Sequence, residues 1–144
     1  MKKQVETIFA LLFLVGSIAV ASRAQTSGGT QLRASIPFQF NVGNQTMPAG
    51  DYTVQQINPA SDRCTLRLRS KDGRSVALIQ MNNVLGRASE NPRLVFNRYG
   101  REYYFSQAWT SGDTTGWQAP KSKAERSTRP ELARATETVA LTIR

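Results

Sequence analysis

Histidine is absent from all 144 residues and cysteine occurs once, as Cys64. Without histidine the chain has no imidazole to act as a general base near neutral pH. Ser-His and Cys-His nucleophile pairs and histidine-based zinc sites are excluded with it. A single cysteine can form neither a thiolate cluster nor an internal disulfide, so packing must stabilise the fold. Neither G-x-S-x-G nor S-x-x-K occurs, and there is no G-x-x-x-x-G-K phosphate loop. Acidic residues are scarce, 10 against 19 basic. Paired carboxylates remain the one surviving catalytic template. Most of the acids fall in turns or in the expected helix, where carboxylates are ordinarily solvated, and Glu102 sits among Arg98 and Arg101. No catalytic, cofactor-binding or metal-ligating residue is therefore assigned, and no cofactor is implied.

Long apolar runs are also missing, apart from one at the amino terminus. Lys2 and Lys3 precede Ile8 to Val20, which is interrupted only by Gly16 and Ser17, and Ser22-Arg23-Ala24 follows as a small-x-small site. The run falls short of the roughly 20 residues that a spanning helix requires. It reads as a cleaved export signal over residues 1–24, helical in the precursor, with the mature chain starting at Gln25 and no stable transmembrane span after cleavage. No cysteine follows the run, so a lipid-modified amino terminus of the bacterial lipoprotein type is not expected. The remaining 120 residues carry 16 basic and 9 acidic side chains, a net charge of +7. That length supports one core. Residues 25–33, with Ser-Gly-Gly at Ser27 to Gly29, read as a flexible linker, and 34–144 as a single β-rich domain.

From Ala34 onward the hydrophobic period is two, the pattern of strands with one buried face. Ile36, Phe38, Phe40 and Val42 share a face, with Pro37 marking a strand start or edge. Pro48-Ala49-Gly50 supplies a turn into Tyr52, Val54 and Ile57. Arg63 to Ser70 points Cys64, Leu66 and Leu68 inward, and Asp72-Gly73 suits a type I′ hairpin turn. Ser75 to Met81, apolar on both faces, predicts the most central strand. Asn82 to Pro92 reads as a loop. A second hairpin joins Leu94–Asn97 to Arg101–Trp109, with Tyr103, Phe105 and Trp109 on one face and Tyr104 on the other. Ser111 to Gln118 reads as a flexible connection. Its Trp117 either caps the core or stacks on a ligand such as a sugar. Lys121 to Ala135 is the one helical candidate, with Ser122 and Glu125 spaced as a capping box. Val139, Leu141 and Ile143 alternate as a closing strand. The expected fold is mainly β, an antiparallel sandwich or small barrel of about seven or eight strands with one short C-terminal helix.

Four segments recur together in a recognisable order: Ile36-Pro37-Phe38-Gln39-Phe40-Asn41-Val42-Gly43, Pro48-Ala49-Gly50-Asp51-Tyr52-Thr53-Val54, Leu94-Val95-Phe96-Asn97-Arg98-Tyr99-Gly100 and Pro120-Lys121-Ser122-Lys123-Ala124-Glu125-Arg126. In combination they resemble a family of small exported β-rich proteins of acidobacteria and related soil bacteria. The resemblance implies a bacterial, signal-bearing β domain and no specific activity. Members of that family often carry histidine where this chain has Asn97, so no metal or proton-transfer role carries over to that position.

The basic excess is the remaining functional signal. Arg67, Arg69, Lys71 and Arg74 cluster around the first hairpin, and Arg93, Arg98 and Arg101 around the second, with Tyr99 and Tyr104 beside them. Of these, Arg67, Arg69, Arg98, Arg101, Tyr99 and Tyr104, together with Trp117, form the candidate anion- or ligand-binding surface. In a cytoplasmic chain such a surface would suggest single-stranded nucleic acid, but export argues against that partner. The plainer alternative is a solvated outer face that charge keeps soluble. The sequence thus points to a non-enzymatic binding or structural component of the bacterial envelope or extracellular matrix, periplasmic or secreted. Its expected partner is an anionic envelope polymer, a polysaccharide or another envelope protein. The alternative function is a carboxylate-dependent hydrolase acting on polysaccharide.

Overall fold

A computed structural model describes residues 31–58, 63–128 and 135–143. The export signal, most of the expected linker, Pro59 and Pro130 lie outside the described residues. The described chain is mainly β, with eleven strands and one short helix. In order these are β1 (Leu32–Ile36), β2 (Phe40–Val42), β3 (Gln45–Met47), β4 (Gly50–Gln56), β5 (Cys64–Ser70) and β6 (Val76–Leu85). There follow β7 (Arg93–Tyr99), β8 (Glu102–Trp109), β9 (Thr115–Gln118), α1 (Lys123–Ser127), β10 (Ala135–Ala140) and β11 (Thr142–Ile143). Among the described residues, no helix is long and apolar enough to cross a membrane.

The hydrogen-bonded order is β10-β7-β8-β9-β6-β5-β4-β1-β11, with β2 and β3 attached as a hairpin beside β8. Strand β6 is the middle of this order, as expected, although only its Ala77, Ile79 and Met81 face is buried. Its first half, Val76–Met81, pairs with β5, and its second half, Asn82–Leu85, pairs with β9. The sheet therefore turns along β6 so that its two halves share one core, and it does not close into a barrel. Chain direction at the carboxyl end bridges the two extremes: β10 pairs with β7, the chain passes Leu141, and β11 pairs with β1. The Leu141 amide donates to the Pro92 carbonyl at 2.9 Å, fixing the changeover.

The period-two pattern places the expected side chains inside. Ile36, Phe40, Tyr52, Val54, Cys64, Leu66 and Leu68 are buried in one continuous core with Leu94, Phe96 and Phe105. Phe40 joins the two halves, its ring 5.3 Å from Tyr52 and 5.4 Å from Phe96 in edge-on contacts, a geometry aromatic quadrupoles favour. Burial pushes the Cys64 thiol up to about 11, away from the thiolate that reactive cysteines need. Its side chain is a small core hydrophobe with a free thiol.

The structure departs from the sequence reading at several points. Pro37 divides the first run into β1 and β2, because a residue without an amide hydrogen cannot continue the ladder. Asp72 has no positive φ and Gly73 alone carries one, +73°, so the β5–β6 turn is not type I′. Asn82 to Leu85 is strand rather than loop, and Thr115 to Gln118 is strand rather than flexible connection. The helix stops at Ser127, and Ala135 begins β10. Ile57, Val76 and Leu78 are exposed, not core. In the β7–β8 hairpin the register shifts: Val95 faces Gln107 while Phe96 faces Phe105, leaving Ser106 as a bulge. A bulge adds one residue and reverses the alternation beyond it. Phe105 and Ala108 therefore reach the main core, whereas Trp109 turns to the opposite face.

Candidate functional site

Alternation that buries one face of β1, β4 and β5 necessarily presents the other. Inward Ala34, Tyr52, Val54, Leu66 and Leu68 leave Arg33, Ser35, Asp51, Thr53, Gln55, Arg67 and Arg69 on the outside. Register then assembles them across strands. Thr142 of β11 faces Arg33, Arg33 faces Thr53, and Thr53 faces Arg69. Gln55 faces Arg67 in the neighbouring row, and its side-chain oxygen accepts a hydrogen bond from the Arg67 guanidinium. Lys71, just past β5, donates its amide to the Asp51 carbonyl at 2.8 Å.

These residues line a cleft of about 730 Å³, walled at one side by Val139, Ala140 and Thr142. Its lining carries four cationic side chains, Arg33, Arg67, Arg69 and Lys71, against one carboxylate, Asp51. Adjacent strands lie about 4.8 Å apart, so Arg33 and Arg69, separated by β4, are held roughly 10 Å apart across the floor. Among the described residues the only ion pair is Arg74 with Asp72 in the β5–β6 turn, at 3.9 Å and highly exposed. None of the cleft cations takes part in that pair; Arg67 is engaged by Gln55, a neutral partner that leaves its charge uncompensated. A site of this kind attracts anions and orients them through guanidinium hydrogen bonds.

A neighbouring concavity shares Asp51 and also holds Asp72. The Ser70 hydroxyl and then the Arg74 backbone amide hold the Asp72 carboxyl below its usual range. A glycosidase acid requires the opposite shift.

The second group of arginines lies elsewhere. In the strand order β6, β9 and β8 stand between β5 and β7. The Arg98 guanidinium sits 5.8 Å over the Tyr103 ring and donates from Nε to the Gly100 carbonyl at 2.9 Å. Arg101 is exposed in the β7–β8 turn. The four arginines therefore form two groups rather than one contiguous patch, and the cleft lining contains only Arg67 and Arg69 of them. Tyr104 is buried, its hydroxyl donating to Glu102 at 3.1 Å and lying 3.3 Å from the Thr128 hydroxyl. Tyr99 packs edge-on against Tyr104. Trp117 is half-buried and packs against the core. Arg33 and Lys71 complete the cleft; Lys71 is already visible in the first hairpin's basic cluster, whereas Arg33 escaped the sequence reading. Leu32 and Ala34 continue the alternation of Ile36, and extending it back by two residues would have placed Arg33 on the outer face rather than in the linker.

A smaller polar cavity of about 140 Å³ lies under α1, lined by Asn97, Ser106, Lys121 and Glu125 among others. The expected capping box is half present: the Ser122 hydroxyl accepts from the Glu125 amide at 3.0 Å. The Glu125 side chain instead turns inward, where Asn97 Nδ2 donates to its Oε1 at 2.8 Å and the Tyr99 hydroxyl donates to the same oxygen at 3.2 Å. A buried carboxylate is tolerable only with such partners. Here they dock the helix on β7. Replacing Glu125 with Ala strands two donors and should cost about 1 to 3 kcal/mol. Glu125→Gln keeps an acceptor and should lose less. Equal loss in both variants, by denaturant titration, would show that these hydrogen bonds do not anchor α1.

Compared with models of protein families, with curated proteins and with solved structures, the chain matches none.

Proposed function

We propose that this chain is an exported, non-enzymatic binding domain of the bacterial envelope, and that the cleft on the outer face of β1, β4 and β5 receives an anionic ligand. The observation that carries this reading is the cleft's charge, four cations to one carboxylate in about 730 Å³. Export rests on the Lys2-Lys3 start and short apolar run. Binding is favoured over hydrolysis because the cleft holds one carboxylate where a two-carboxylate hydrolase needs a pair.

Titrating the protein with polygalacturonate, a soluble polyanion, at low and at high salt tests the proposal. Binding should weaken with salt, since exposed charges are screened beyond about 8 Å at physiological ionic strength. Arg33→Ser combined with Arg69→Ser should weaken it by at least about tenfold, the equivalent of one lost charge-assisted hydrogen bond. Arg98→Ser with Arg101→Ser should leave it unchanged. Affinity indifferent to salt and to the cleft pair would overturn the assignment.

A further inference from the structure

Four large hydrophobic side chains are exposed among the described residues: Ile57, Val76, Leu78 and Leu85. Two of them belong to the same outer surface as the cationic cleft. Val76 faces Arg69 and Leu78 faces Arg67 across the β5–β6 ladder, and directly paired residues of antiparallel strands project to the same side. Leu78 is 62% exposed and Val76 40%. Ile57, just past the end of β4, follows Gln55 by two residues, and its amide donates to the Thr65 carbonyl of β5 at 2.9 Å. On β1 and β4 the outer positions that line the cleft are polar or charged, so the aliphatic stripe begins where β5 meets β6. Lys71 and exposed Arg74 stand at the tip of the same hairpin.

We infer that the outer face of the β5–β6 hairpin docks on an anionic phospholipid surface, an inference that rests on the anion-binding reading of the adjoining cleft. A soluble polyanion rewards Arg67, Arg69 and Lys71 but gives Leu78 and Val76 nothing to enter. A bilayer rewards both: guanidinium groups bind headgroup phosphates, and short aliphatic side chains beside them enter the boundary between headgroups and acyl chains. Charge complementarity selects the lipid class, because the hairpin's one acid, Asp72, is matched by Arg74 at 3.9 Å.

The test is sedimentation of the full-length chain with phosphatidylglycerol vesicles, with phosphatidylcholine vesicles and with polygalacturonate; residues 1–24 are common to every arm. The wild type should bind phosphatidylglycerol vesicles more tightly than either other probe. The double variant Val76→Thr, Leu78→Ser, at two exposed positions outside the main core, should lose at least about tenfold on phosphatidylglycerol vesicles and nothing on polygalacturonate. Vesicle binding that survives this variant, or polymer bound as tightly as vesicles, overturns lipid docking and leaves the anionic cleft standing. No binding to either anionic probe overturns both.

Discussion

Deleting residues 137 to 144 should destabilise the domain by about 3 to 6 kcal/mol, the burial of two large apolar side chains at roughly 1.5 to 3 each. Those two are Val139, 9% exposed, and Leu141, 5% exposed. The deletion also removes the β10 ladder from Glu137↔Phe96 to Ala140↔Arg93 and the whole of β11 opposite β1. Both ends of the sheet would then expose unpaired backbone, which invites edge-to-edge association. Natural domains hold only about 5 to 15 kcal/mol in total, so the truncated protein should unfold at markedly lower denaturant and aggregate. An unchanged unfolding midpoint would mean that the carboxyl-terminal strands do not close the two edges. Leu141→Ala alone should reproduce about 2 kcal/mol or more of the loss.

The second large effect centres on Trp109. Its ring lies on the face away from the main core, over two glycines. A Cβ at Gly86 would come within 2.3 Å of Trp109 Cη2, and one at Gly116 within 2.6 Å of Cε3. The Arg93 guanidinium sits 5.4 Å from the ring centre, and Nε1 donates to the Gln107 side chain at 3.0 Å. Trp109→Ala should cost about 3 to 5 kcal/mol. Gly116→Ala should cost about 1 to 3 kcal/mol by overpacking, since the ring it meets is rigid and buried. In the Trp109→Ala background the same glycine change should cost nothing, and this non-additivity, read from a denaturant double-mutant cycle, is the specific signature. Additive losses would show that the ring does not rest on Gly116.

Trp109 also shows why part of the fold was hidden in the sequence. Alternation alone puts Trp109 with Tyr103 and Phe105, but the bulge at Ser106 reverses the parity, and no residue type at that position announces a bulge. The strand at Thr115 to Gln118 was missed for a related reason. Gly116 looks like a loop residue, yet it is in a strand because the tryptophan ring needs the space a side chain would fill. Where one face was buried without interruption, as at Cys64, Leu66 and Leu68, period two was sufficient. The capping pair Ser122 and Glu125 located α1, but the inward turn of the Glu125 carboxylate depended on Asn97 and Tyr99, far away along the chain. The cleft was half legible. Arg67 and Arg69 stand out within one strand, whereas their alignment with Arg33 across Thr53 is a property of register, and the separation of Arg98 and Arg101 a property of strand order.

Anion binding at the cleft is tested most directly by amide chemical-shift mapping during titration with oligogalacturonate at low salt. Shifts should concentrate at Arg33, Thr53, Gln55, Arg67, Arg69 and Lys71 and vanish at high salt. Shifts centred on Arg98 and Arg101, or a spectrum the anion leaves unmoved, would contradict the assignment of this face as the binding site.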